Sequence, residues 1–201
     1  MSRRVHRVPV HLHPAPGRPL PMDELSAILR GADPLVMRGG RTLLAHVLRG
    51  SRQKKVLELG LDRIPAHGFY RGVPEHEVIA KIDRAISDGH LAIEYDDRLP
   101  LLVFTPAGWE IEKEQYAREL FAGFEARLAA GPPYGMDELK DRNRGVILRV
   151  LEMVEASGDA RYVPLLREWE AFDYRKVRER IRQVRRRLSA PGSSVEEEDE
   201  P

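Results

Sequence analysis

The sequence predicts a mainly α-helical fold with one small β-hairpin, and three observations support that. Apolar residues recur at helical spacing through most of residues 23–188. Two stretches of strand composition, Leu91–Tyr95 and Leu101–Thr105, flank a short polar connection. Glycine- and proline-rich breaks at 38–40, 68–74 and 130–135 cut the helical runs into separate elements.

Residues 1–22 hold five prolines and three histidines, His6, His11 and His13, without periodicity, and are expected to form an extended, irregular arm. Helical spacing begins at Asp23 with Leu25, Ile28 and Leu29, and resumes at Thr42 with Leu43, Leu44, Val47 and Leu48. Ser51 is read as the N-cap of a third helix that runs to Gly60 and turns Val56, Leu57 and Leu59 to a core. Pro74 opens a fourth, carrying Val78, Ile79, Ile82, Ala85 and Ile86 on one face, and Gly89 ends it. The two strands follow, joined through Asp96-Asp97-Arg98-Leu99-Pro100. Helices followed by a hairpin is the order of a winged helix-turn-helix.

Thr105-Pro106 starts a long amphipathic helix, and the glycine and proline cluster after Ala129 ends it. Three more helices are expected, at Val146–Ala156, Val163–Phe172 and Tyr174–Leu188, forming an all-helical second unit. The implied plan is an arm at 1–22, a winged helix at 23–128, a linker at 129–137, a helical unit at 138–190 and a disordered acidic tail at 191–201.

Composition bounds the function. With 42% apolar and 32% charged residues, and no apolar run near the roughly 20 residues of a membrane span, a membrane partner is not expected. There is no cysteine, so disulfides and thiolate metal sites are excluded, and a cytoplasmic location is expected, nucleoid-associated if the partner is DNA. Glu196, Glu197, Glu198, Asp199 and Glu200 leave the rest of the chain with 33 cations against 27 anions, a basic body. That tail reads as a solubilising end or as a weak competitor lying over the basic body.

No phosphate-binding glycine loop, His-Glu-x-x-His or Gly-x-Ser-x-Gly motif occurs, so the expectation is a non-enzymatic protein without a cofactor. His11 and His13 have no third or fourth ligand nearby and sit in a segment read as mobile, so no metal is expected. His67 and His76 read as surface or turn residues.

The informative cluster runs from Arg38 to Arg71. There Arg38, Arg41, Arg49, Arg52, Lys54, Lys55, Arg63 and Arg71 are offset only by Glu58 and Asp62. A helix capped at Ser51 would aim free amides and its positive end among these cations, a phosphate site; an ordinary capped helix with a solvated basic end fits equally. The helix after Pro74 sets Glu75, Glu77, Asp83 and Asp88 against Lys81 and Arg84, which opposes insertion between phosphates, so backbone and shape recognition is expected.

Gly40-Arg41-Thr42-Leu43-Leu44, Leu48-Arg49-Gly50-Ser51, Leu57-Glu58-Leu59-Gly60-Leu61-Asp62 and Gly68-Phe69-Tyr70 together resemble the RQC winged-helix domain of RecQ-type helicases. The chain resembles the stand-alone bacterial group called RQC-minor more closely still. The likeness implies phosphate contacts at Arg49, Ser51 and Lys55 and a hairpin wing acting as a wedge at a duplex end. This sequence holds no ATPase motor, and its wing tip, Asp96-Asp97-Arg98-Leu99, lacks an aromatic wedge. Gly158-Asp159-Ala160-Arg161-Tyr162-Val163 with the following Tyr174-Arg175-Lys176-Val177-Arg178 resembles a HEAT-like repeat. Eight cations between Arg175 and Arg187 read as a second nucleic-acid contact or as a solvated face.

The sequence thus predicts a winged helix-turn-helix followed by an all-helical HEAT-like unit. Its expected partner is DNA, as a duplex, duplex end or junction, in repair or replication, with a helicase or repair protein as a further candidate partner. The candidate contacts are Arg41, Arg49, Ser51, Arg52, Lys54, Lys55, Arg71 and Arg98. Structured RNA or the ribosome, and a role as a protein-interaction adaptor, are the rival readings.

Overall fold

A computed structural model describes residues 7–190; the expected acidic tail lies outside them. The chain divides into two compact units, residues 1–112 and 113–201.

In the first unit, α1 (Met22–Ala32), α2 (Arg41–Leu48), α3 (Lys54–Glu58) and α4 (Glu75–Ser87) precede a hairpin of β1 (Leu91–Asp96) and β2 (Leu99–Phe104). Ile28 and Leu29 of α1, Leu44 and Leu48 of α2, Ile82 of α4 and Leu102 of β2 are wholly buried in one core. Residues 37–39 bond the hairpin edge, Met37 N–H donating to the Leu102 carbonyl (3.1 Å) and Leu102 N–H to the Gly39 carbonyl (3.0 Å). This is a winged helix.

The strands pair antiparallel from Leu91 opposite Phe104 to Asp96 opposite Leu99. The connection is therefore Asp97-Arg98 alone, tighter than the five residues expected, because Asp97 takes a left-handed conformation (φ 52°) that aspartate tolerates. Thr105 caps α5 (Pro106–Ala130) as expected: its Oγ1 accepts from Gly108 N–H (3.1 Å) and donates to the Gly89 carbonyl (2.6 Å).

The third helix departs from expectation. It covers only Lys54–Glu58, with Gln53 at its start and no side-chain cap. Ser51 instead closes α2: Gly50 N–H reaches the Val47 carbonyl and Ser51 N–H the His46 carbonyl, both at 2.9 Å, a Schellman ending with Gly50 at φ 74°. The Ser51 hydroxyl accepts from Gln53 N–H at 3.2 Å. So short a helix buries Val56 and leaves Leu57 and Leu59 over 40% exposed, so the three do not share the core.

From residue 7 to 20 the arm is irregular, as expected, but it is anchored rather than loose. Val8 N–H bonds the Arg98 carbonyl (3.2 Å), Ala15 N–H the Ala80 carbonyl (2.9 Å) and His13 N–H the Asp83 carboxylate (2.8 Å).

The second unit holds the later part of α5 with α6 (Arg144–Ser157), α7 (Val163–Phe172) and α8 (Arg175–Leu188). Asn143 caps α6 through Gly145 N–H (2.8 Å). Buried Trp169 meets the Phe124 ring edge-on at 5.9 Å. The stripe Val177, Ile181, Val184 and Leu188 is buried along α8. In the stretch read as a linker, Met136 is fully buried, and Tyr134 and Met136 N–H groups donate to Glu168.

Two predictions follow from this packing. A Cβ on Gly108 would lie 1.9 Å from the His90 carbonyl oxygen, whereas one on Gly123, also within α5, meets open space. Gly108→Ala should cost about 2 kcal/mol in chemical denaturation, and Gly123→Ala should gain about 0.5 kcal/mol; equal effects would contradict this packing. Glu155 is held below the usual carboxylate range by hydrogen bonds from Arg180, with burial opposing and Arg187 assisting. A carboxyl depressed in the folded state stabilises above its unfolded value, and that stability is lost as pH falls through the folded value. Glu155→Gln should therefore weaken the unit at neutral pH and flatten the acid limb of its melting profile.

Candidate nucleic-acid interface

The basic segment is organised by a clasp between two turns. Gly68 N–H is a second donor to the Val47 carbonyl (3.0 Å), which Gly50 N–H already bonds, and Tyr70 N–H satisfies the open Leu48 carbonyl at the end of α2 (2.7 Å). The approach requires glycine on both sides: a Cβ on Gly50 would lie 3.1 Å from the Gly68 Cα, and Gly68 has φ 81°. His67 Nε2 reaches the Ser51 carbonyl at 3.0 Å. The two glycine motifs noted in the sequence are thus halves of one contact.

Tyr70 is carried into the core by this clasp. Its hydroxyl donates to Glu24 (2.7 Å), and burial first, then Glu24, raises its pKa well above the usual phenol value. Lys81 also bonds Glu24 and lies 5.4 Å from the Tyr70 ring centre.

The candidate cations separate by their partners. Arg41 bonds fully buried Asp83 at 2.5 Å and the His11 carbonyl at 3.2 Å, so its charge is matched inside the fold. Arg49 donates through Nε to the Val73 carbonyl (2.9 Å) and pairs with Glu75 at 3.3 Å, holding the start of α4. Ser51 is half-buried and turned to Gln53. Lys54 pairs with Glu58 at 3.6 Å, both well exposed.

Arg52, Lys55, Arg71 and Arg98 are exposed and have no carboxylate partner among the described residues. The Arg71 guanidinium lies over the clasp, its Nε 3.4 Å from where a Gly50 Cβ would be. Lys55 lines a groove of about 430 Å³ with Thr42, His46 and Gln53 on one side and Pro100 and Leu101 of the wing on the other. Thr42 and Gln53 were missed by the sequence reading, since the groove arises from packing of the wing beside α2 and carries no local signal. At the wing tip Leu99 is 60% exposed.

The arm bears on α4. It is fixed to Ala80, Asp83 and Arg84 of that helix, the last donating to the Gly17 carbonyl, while His76 and Glu77 are exposed and half-buried Glu75 is held by Arg49. A strapped helix with acidic neighbours is poorly suited to enter a groove between phosphates. His11 and His13 act here through backbone groups, and no cluster of three or more metal-ligating side chains occurs among the described residues. No helix among them is long and apolar enough to cross a membrane.

Residues 22–121 match the family model of the RQC domain. The chain is similar to the ATP-dependent DNA helicase RecQ of Bacillus subtilis (strain 168), 32% identical over 122 residues. That stretch is 61% of this chain and 19% of the relative. No solved structure matches.

Removing the Asp83 carboxylate would leave the Arg41 charge half-buried and free the His13 amide. Asp83→Ala should destabilise by about 3 kcal/mol in denaturant unfolding and speed chymotryptic cutting after Leu12, next to the His13 amide that the carboxylate holds. An arm cut at the wild-type rate would show that this carboxylate does not hold it.

Proposed function

With residues 22–121 belonging to the RQC domain family, we propose that this chain is a non-enzymatic binder of duplex DNA that grips phosphates along the α2–α3 edge and the wing. RQC domains bind DNA, and in this one four of the exposed cations without a carboxylate partner among the described residues, Arg52, Lys55, Arg71 and Arg98, lie on that edge and at the wing tip. That observation carries the reading. Cations already matched within a fold gain little from a phosphate, whereas exposed ones release condensed counterions on contact. Arg41 and Arg49 serve as architecture in this account, and Ser51 as a turn closure.

Exposed Leu99 on a two-residue turn gives the wing an apolar tip suited to lie against a terminal base pair. Recognition of duplex ends or junctions follows, with little sequence preference and a role in repair or replication. The helicase activity named for the Bacillus relative belongs to a protein of which the match covers 19%; this chain's part in such a process is binding.

The test is fluorescence anisotropy with blunt duplex DNA at several salt concentrations. Reversing Arg52, Lys55 and Arg71 to glutamate should abolish binding at low salt without lowering the melting temperature. Neutralising the same three with glutamine should make the log–log salt slope shallower by about 2.7, from roughly 0.9 per phosphate contact. Unchanged affinity and slope in folded variants would exclude this edge.

A further inference from the structure

The cations of α8 differ in their partners. Along the body of the helix Arg180, Arg182, Arg185 and Arg187 are paired, while Arg178 and Arg186 are exposed without a carboxylate partner among the described residues. Arg180 and Arg187 reach Glu155 at 2.7 and 2.6 Å, and Arg182 and Arg185 reach Glu170 at 2.9 and 2.8 Å. Glu155 and Glu170 thus engage four cations of the basic face read from the sequence and offset two of their charges.

At the start of α8 the matching stops. A cavity of about 550 Å³ opens there, beside the start of α6, with Lys140, Arg142, Arg144, Arg175, Lys176 and Tyr174 on its wall. Two carboxylates share that wall, and neither pairs with one of its cations. Buried Asp173 accepts from Trp169 Nε1 (2.8 Å) and Tyr174 N–H (2.6 Å), and Asp141 accepts from the Tyr174 hydroxyl at 3.2 Å. Arg175 has an exposed partner in Glu179. Arg142, Arg144 and Lys176 are exposed and have no carboxylate partner among the described residues.

The aromatic ring at this mouth is equally unusual. Tyr174 is 59% exposed, with Lys140 Nζ 5.4 Å from its ring centre, and neighbouring Phe172 is 46% exposed. A ring held over solvent beside unmatched cations combines the two elements that recognise an unpaired strand: a platform on which a base stacks and charges that follow the backbone. Along a duplex the bases are stacked inside and present no face to such a ring, except at the two ends.

We propose that this cavity is a binding site for single-stranded nucleic acid, with Arg142, Arg144 and Lys176 on phosphates and Tyr174 stacking on a base. The site lies wholly within the helical unit and does not depend on the winged-helix edge.

The experiment uses the full chain, a twelve-nucleotide oligo-dT probe and a blunt duplex, read by anisotropy. The double variant Arg142→Gln with Lys176→Gln should weaken oligo-dT binding and make its salt slope shallower by about 1.4, from roughly 0.7 per phosphate on a single strand. Tyr174→Ala should lose at least about fivefold in oligo-dT affinity and Tyr174→Phe should retain it, since stacking needs only the ring. Blunt-duplex binding should stay within twofold of wild type in all of these. Oligo-dT affinity unchanged in both the double variant and Tyr174→Ala, with melting temperatures intact, would overturn the proposal. Equal losses on oligo-dT and duplex would overturn it too. Loss of duplex binding confined to variants at Arg52, Lys55 and Arg71 tests the other surface, so failure of either assignment is visible separately.

Discussion

The first unit depends on two turns closing against each other. The loop before α4 donates to the last carbonyls of α2, Gly68 N–H as a second donor at Val47 and Tyr70 N–H at the open Leu48. Only backbones without side chains can come this close, which is why Gly50 and Gly68 face one another. Tyr70 is thereby placed between α1 and α4 with Glu24 and Lys81, and residues 52–55 are pushed outward with Arg71 above them. The basic edge is a product of this closure.

Partnering then decides which cations are available. The residues of the basic segment look alike in sequence, yet they differ in charge environment. Arg41 neutralises a buried carboxylate and Arg49 holds the start of α4, so both are structural before they are anything else. Partnering also divides the cations of α8, where Glu155 and Glu170 hold Arg180, Arg182, Arg185 and Arg187 and leave Lys176, Arg178 and Arg186 to solvent. The arm adds a constraint of another kind, since its backbone bonds to α4 occupy the helix that precedes the wing.

Much of the fold was legible in the sequence because periodicity and capping are local. Thr105-Pro106 announced α5, the apolar stripe on α8 is buried as its spacing required, and helices, then hairpin, gave the winged helix. What escaped notice was mostly non-local. Ser51 has the right chemistry for an N-cap, but the glycine before it could equally end the preceding helix, and the second alternative prevailed. Asp83 lies 42 residues from Arg41, so no pattern in either stretch marks their pair. The arm is irregular in sequence and in structure, and its anchoring uses amide groups that every residue possesses. Leu57 and Leu59 have core character but sit on a helix too short to bury them.

In the proposed mode, nucleic acid meets the α2–α3 edge and the wing while α4 stays beneath its strap. Amide hydrogen exchange of the whole chain, with and without saturating blunt duplex DNA, tests this most directly. Protection should appear at residues 50–56 and 96–99 on addition of DNA, with residues 75–87 and the arm at 8–17 unchanged. Protection gained along α4 together with faster exchange in the arm would contradict it, because the helix would then have shed its strap to enter the DNA.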